Sequence, residues 1–138
     1  MYEERLLTIE DDPDIAALIK KTALEAGFQC MELCNSSTLP AVYQRFKPDV
    51  IMLDILMPEM DGFDVLHFLK QEQSTAQILI LSGSEYGRMA EKIGQGMGLT
   101  IVGTMYKPFR VAELRLTLQE IRHDLREGSM RKSMPEAS

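Results

Sequence analysis

Four short apolar runs punctuate the chain, and each ends on a residue able to do chemistry. Arg5-Leu6-Leu7-Thr8-Ile9 is apolar and β-branched until it stops at Glu10-Asp11-Asp12, the pattern of a buried strand feeding an acidic loop. Val50-Ile51-Met52-Leu53 is continuous rather than alternating, as in a strand covered on both faces, and ends at Asp54. Ile78-Leu79-Ile80-Leu81 ends at Ser82, and Thr100-Ile101-Val102-Gly103-Thr104-Met105 leads to Lys107-Pro108. A weaker strand is expected from Gln29 to Leu33.

Between these runs the apolar period changes to that of helices. Pro13 suits a first helical turn, and Ile15, Leu18, Ile19 and Thr22 recur at helical spacing until Gly27, so a helix is expected over about Pro13 to Ala26. Ser36-Ser37-Thr38 can start a second helix that runs through Val42, Tyr43 and Phe46 to the breaker Pro48. Asp61 can cap a third, with Phe63, Val65, Leu66 and Leu69 on its apolar side. Tyr86 to Gly98 is helical in pattern, but Gly87, Gly94, Gly96 and Gly98 each cost up to about 1 kcal/mol relative to Ala, so this helix is expected to be short or loosely held. Leu114, Leu118, Ile121 and Leu125 mark the last helix, without an obvious cap.

Five strands alternating with five helices call for parallel strands and right-handed crossovers: an α/β fold with a doubly wound, five-stranded parallel sheet and helices on both faces. Sites in such sheets lie beyond the carboxyl ends of the strands. A length of 138 residues suits one domain, expected over 1–126. From Glu127 the sequence turns polar, and 127–138 reads as a flexible tail or the start of a linker.

Twenty-one acidic residues against fifteen basic ones leave a net charge of −6, the wrong sign for a direct nucleic-acid binder. No apolar stretch has the length of a membrane span and the first residues lack a secretory pattern, so the chain is expected to be cytoplasmic with no membrane partner. Cys30 and Cys34 read as free thiols of a reducing compartment.

The fold places Glu10, Asp11, Asp54, Ser82 and Lys107 at one edge of the sheet. Three carboxylates in one cleft repel one another unless a cation sits among them, and oxygen ligands without His or Cys favour Mg²⁺. An ionised carboxylate can attack a phosphoryl group to form an acyl phosphate when charge on the incoming oxygens is neutralised, here by Mg²⁺ and the Lys107 ammonium. The Ser82 hydroxyl can then donate to a phosphoryl oxygen and pull on the loop that follows it. Taken singly, each residue has a plainer explanation: Asp11, Asp12 and Asp61 as helix caps, Ser82 as a turn residue, Lys107 as a structural partner of Asp54. Jointly, their order along successive strand ends favours the phosphoacceptor.

Glu10-Asp11-Asp12-Pro13, Leu53-Asp54-Ile55-Leu56-Met57-Pro58-Glu59-Met60-Asp61-Gly62, Ser82-Gly83 and Lys107-Pro108-Phe109 resemble, in order, the motifs of response regulator receiver domains. The resemblance covers residues 5 to 125 and implies the (βα)5 flavodoxin-like receiver fold. It implies that Asp54 accepts phosphate from a sensor histidine kinase or histidine phosphotransfer protein and passes the signal to a downstream effector domain or protein, or into a phosphorylation-dependent homodimer. It also implies a Mg²⁺ site of Asp11, Asp54 and the Leu56 carbonyl, with Glu10 acting through water, and a cis Lys107-Pro108 bond. A receiver assists only its own phosphorylation and dephosphorylation and is not an enzyme acting on other substrates.

Two positions depart from that pattern. The aromatic that usually lies three residues before the lysine is Thr104 here, and Tyr106 stands beside Lys107 instead. The glycine-rich fourth helix and Gly98-Leu99-Thr100-Ile101-Val102-Gly103-Thr104 resemble receivers joined to cyclic-di-GMP phosphodiesterase domains of the Glu-Ala-Leu type. Among rivals, a haloacid-dehalogenase-type phosphatase wants a second Asp where this chain has Leu56. A nucleotide or flavin module wants a glycine loop where it has Glu10-Asp11-Asp12. A receiver-like interaction module that acts without phosphorylation is the serious alternative.

Overall fold

The structure, a computed structural model, describes residues 3–57 and 60–133. Strands β1 (Arg5–Ile9), β2 (Gln29–Leu33), β3 (Val50–Asp54), the two-residue β4 (Leu56–Met57) and β5 (Met60–Asp61), β6 (Gln77–Ser82) and β7 (Thr100–Tyr106) are interleaved with five helices. The helices are α1 (Pro13–Glu25), α2 (Leu39–Phe46), preceded by a 3₁₀ turn at Ser36–Thr38, α3 (Gly62–Gln71), α4 (Tyr86–Gly96) and α5 (Val111–Ser133). The five long strands form one parallel sheet in the order β2-β1-β3-β6-β7. The expected doubly wound α/β sheet is therefore present.

Strand alternation sends side chains into two cores. Leu7, Ile9, Ile51, Leu53, Ile78 and Ile80 pack with Leu39, Val65, Leu66, Leu69 and Ala90, so α2, α3 and α4 cover one face. Leu6, Val50, Met52, Leu79, Leu81 and Met105 pack with Ile19, Ala23, Leu114, Leu118 and Ile121, so α1 and α5 cover the other. Every residue of β3 is buried, which explains its uninterrupted apolar run. β1 lies between β2 and β3, and the chain reverses its winding there, opening the switch-point crevice at the ends of β1 and β3.

Several expectations need correction. α4 is a continuous eleven-residue helix rather than a short one. Two of its glycines are contact points: a Cβ on Gly87 would come 2.7 Å from Ser82 Cβ, and one on Gly94 2.7 Å from Ile101 Cδ1. The helix exchanges intrinsic propensity for a close seat on the sheet. At the other end, α5 does not fray at Glu127. The helix runs to Ser133; His123 Nε2 lies 3.4 Å from Glu127 Oε1, and Arg126 Nε is 2.9 Å from Glu4 Oε1 where the polar segment begins. Residues 134–138 of the expected tail lie outside the described residues.

Candidate functional site

Sheet register assembles the site. Ile9 pairs with Leu53, so Glu10 and Asp54 emerge side by side. Asp54 pairs with Leu81 and Ser82 with Tyr106, which brings Ser82 and Lys107 to the same edge. Asp12 caps α1 by accepting from Asp14 N and Ile15 N, and Asp61 caps α3 by accepting from Phe63 N. The plain capping explanation thus holds for these two residues. Asp11 is left beside the cleft.

Carboxylate oxygens of Glu10, Asp11 and Asp54 all lie within 4.8 Å of one another. Lys107 Nζ donates to both Glu10 oxygens at 3.0 Å and to Asp54 Oδ2 at 3.1 Å. Glu10 is fully buried and Asp54 nearly so. Burial pushes the Glu10 carboxyl up to about 7; the Lys107 hydrogen bond works against that and the Asp54 charge adds to it. For Lys107, burial disfavours the charged form, but its bonds to Glu10 and Asp54 outweigh this and leave its pKa raised. One ammonium among three carboxylates leaves excess negative charge, and the donor set is oxygen only. These residues fit a hard divalent cation.

The loop after β3 folds back under tight constraint. Leu56 N donates to Asp54 Oδ1 at 3.3 Å, and Gly62 N donates to Ile55 O at 3.2 Å. A Cβ on Gly62 would meet Ile55 Cα at 2.7 Å and Ile55 O at 2.8 Å, so this position tolerates no side chain while the loop keeps its course. The Leu56 side chain is exposed at the rim. The Lys107-Pro108 bond is cis, as expected.

Ser82 is buried at the end of β6, but its hydroxyl is turned into its own loop. It donates to Ser84 O at 2.7 Å and accepts from Ser84 N at 3.1 Å. The same turn geometry that explains a serine there would have to open before Ser82 could reach toward Asp54. All five predicted side chains therefore converge, four of them as a carboxylate–ammonium cluster and Ser82 as its neighbour. Sequence reasoning missed the close packing at Gly62 and Gly87, and of these only Gly62, inside the quoted Asp61-Gly62 motif, carried a signal.

The sequence matches the family described as response regulator receiver domain over residues 6–119. A DNA-binding dual master transcriptional regulator of Synechocystis is 34% identical over 110 residues, covering 80% of this chain and 45% of that protein. Sporulation initiation phosphotransferase F of Bacillus subtilis is 25% identical over 115 residues, covering 83% of this chain and 90% of that protein. The chain spans about half the length of the transcriptional regulators it matches. Among solved structures, the signal receiver domain of a LuxO-type repressor protein from Vibrio parahaemolyticus superposes with a TM-score of 0.79 at 20% identity, covering 96% of this chain and all of that one. A chemotaxis protein of Vibrio cholerae gives 0.73 at 26% identity, covering 87% of this chain and 99% of that one. With the motif residues brought to one edge of the expected sheet and the family match spanning nearly its whole length, this chain belongs to the response regulator receiver domain family.

Proposed function

We propose that Asp54 is the phosphoacceptor of a two-component phosphorelay. The observation that carries this reading is the placement of the Asp54 carboxylate: buried at the end of β3, 3.1 Å from Lys107 Nζ and clustered with Glu10 and Asp11. An Asp54 oxygen attacks the phosphorus of a phosphohistidine on a sensor kinase or phosphotransfer protein. The O–P bond forms as the P–N bond breaks, and the released imidazole takes up a proton. Lys107 donates to the carboxylate beforehand and can follow the charge onto the phosphoryl oxygens.

Asp11, Asp54 and the Leu56 carbonyl would hold Mg²⁺ directly, with Glu10 acting through water. When bound, Mg²⁺ supplies the positive charge that lets an anionic phosphoryl donor approach an acidic cleft. Glu10 and Lys107 anchor each other at the wall of that cleft. Transfer consumes one phosphoryl group per receiver, so the domain, proposed as 1–126, is a signalling element rather than a turnover catalyst.

The output is an effector domain or protein, with a cyclic-di-GMP phosphodiesterase domain one candidate and a phosphorylation-dependent homodimer another. The net charge of −6 speaks against direct nucleic-acid contact by this domain. We place it in the cytoplasm; among the described residues no helix is long and apolar enough to cross a membrane.

The test is incubation of wild type and Asp54→Asn with Mg²⁺ and acetyl phosphate, read by intact mass. An Mg²⁺-dependent gain of one phosphoryl mass in wild type alone is expected. Equal labelling of the variant, or none in wild type, overturns the reading, and the latter favours an interaction module that works without phosphate.

A further inference from the structure

The position that usually carries the switch aromatic is filled by Thr104, a half-buried side chain that reaches α4. The Thr104 hydroxyl donates its one proton to Glu91 Oε2 at 2.8 Å, with the Gly87 carbonyl 3.5 Å away, so it holds α4 at Glu91. Its methyl Cγ2 packs on Gly87, where an added Cβ would lie 2.8 Å from it and 2.7 Å from Ser82 Cβ. The first turn of α4 therefore rests on two side chains, Ser82 from β6 and Thr104 from β7.

Ser82 is tied to the same turn by a second route. Its hydroxyl donates to Ser84 O at 2.7 Å, and that carbonyl also receives Gly87 N at 3.4 Å. A hydroxyl has one proton to give. If it is given to a phosphoryl oxygen on Asp54, Ser84 O keeps only the long bond from Gly87, while Ser82 Cβ stays against Gly87 and only Oγ leaves it.

We propose that Thr104 is a latch whose hydroxyl bond to Glu91 holds α4 in its resting seat, and that Ser82, on turning toward phosphate, loosens α4 against that latch. The release step rests on the reading of Asp54 as phosphoacceptor; the latch itself does not. Communication from site to surface then runs through a glycine seat and one threonine–glutamate bond, with no aromatic side chain changing rotamer. Glu91 becomes a positioning residue that sets how readily α4 responds.

The experiment is amide hydrogen exchange on the full chain, with and without Mg²⁺ and beryllofluoride, for wild type, Thr104→Val, Glu91→Ala and the double variant. Valine keeps a methyl on Gly87 and removes only the hydroxyl. The readout is exchange of the α4 amides relative to those of β3, which separates local release from global destabilisation. In wild type, beryllofluoride is expected to speed α4 exchange. In Thr104→Val, α4 is expected to exchange on the order of tenfold faster without any ligand, the factor one ordinary hydrogen bond carries, and to gain little more on addition of beryllofluoride. Glu91→Ala, which removes the acceptor of the same bond, is expected to match it, and the double variant to add nothing.

Unchanged α4 exchange in unliganded Thr104→Val, or independent effects that multiply in the double variant, overturns the latch. A wild type that does not bind beryllofluoride overturns the phosphoacceptor reading and the release step with it, while the unliganded comparison still decides the latch.

Discussion

Gly62→Ala sets two effects of opposite sign against each other at a place where the structure decides between them. Gly62 begins α3, and an alanine in a helical position gains roughly 0.5–1 kcal/mol over glycine by restricting the unfolded chain. Its Cβ, however, would sit 2.7 Å from Ile55 Cα and 2.8 Å from Ile55 O. Those atoms are backbone, held in turn by Ile55 N donating to Leu81 O at 3.1 Å, so they cannot yield as a side-chain tip could. Overpacking of this kind costs about 1–3 kcal/mol. Subtracting the helical gain leaves a net loss of about 0–2.5 kcal/mol, centred near 1 kcal/mol, and a fall in Tm of about 4 °C at that centre. Ile55 joins Asp54 to Leu56, so the displaced backbone should also weaken beryllofluoride binding. Gly96→Ala is the matched control: also helical, it has nothing within 4 Å of its added Cβ, and it should gain about 0.4–1 kcal/mol. Urea unfolding of the two variants beside wild type measures both signs. If Gly62→Ala is as stable as wild type, or Gly96→Ala loses as much, the steric argument is wrong.

Other outcomes follow from the same geometry. Burial raises the Glu4 carboxyl, but a backbone hydrogen bond and then Arg126 and Arg122 outweigh it and leave its pKa below the usual 4.5. A lowered carboxyl stabilises the fold above its unfolded pKa and ceases to do so as pH falls through the folded value, so the stability gap between wild type and Glu4→Gln should be widest at neutral pH and close well below 4.5. Adding Mg²⁺ at tenfold above its Kd should stabilise wild type by about 1.4 kcal/mol, and EDTA should reverse this; Asp11→Asn should need far more Mg²⁺ for the same rise in Tm, and an equal response would remove Asp11 from the metal site. Lys107→Ala should keep part of its acetyl phosphate labelling while α4 exchange no longer responds, and a normal response would show that Lys107 plays no part in coupling.

Strand ends were legible because two rules coincide there: a buried run must be apolar, and the first residue past it is free to be chemical. Ile9 to Glu10, Leu53 to Asp54 and Leu81 to Ser82 are such junctions, and each lies where the sequence places it. Register then did the rest, since parallel neighbours necessarily end together. What sequence reasoning lost were features that depend on partners remote in the chain. Gly87 and Gly94 look like helix weaknesses until Ser82, Thr104 and Ile101 are seen against them. That Arg126, at the edge of the polar segment, is held by Glu4, 122 residues earlier in the chain, has no local signal. The short β4–β5 pair carries too few residues for any periodicity. Likewise, a serine at the end of β6 announces a hydroxyl but not that it is already engaged with Ser84.

The Glu4 anchor also decides what can be sensed from where. Glu4 precedes β1, whereas Glu10 follows it, so Arg122 and Arg126 hold the later part of α5 at the foot of the sheet, about 16 Å of strand away from the carboxylates at its head. α5 sets out from near Lys107 and travels down the α1 face to reach that anchor. Anything fused beyond α5 would leave the domain from the end remote from Asp54, out of touch with the phosphoryl group. It would learn of phosphorylation only as a change in how α5 lies on the sheet, whereas a partner settling on α4 would stand one side chain from the event.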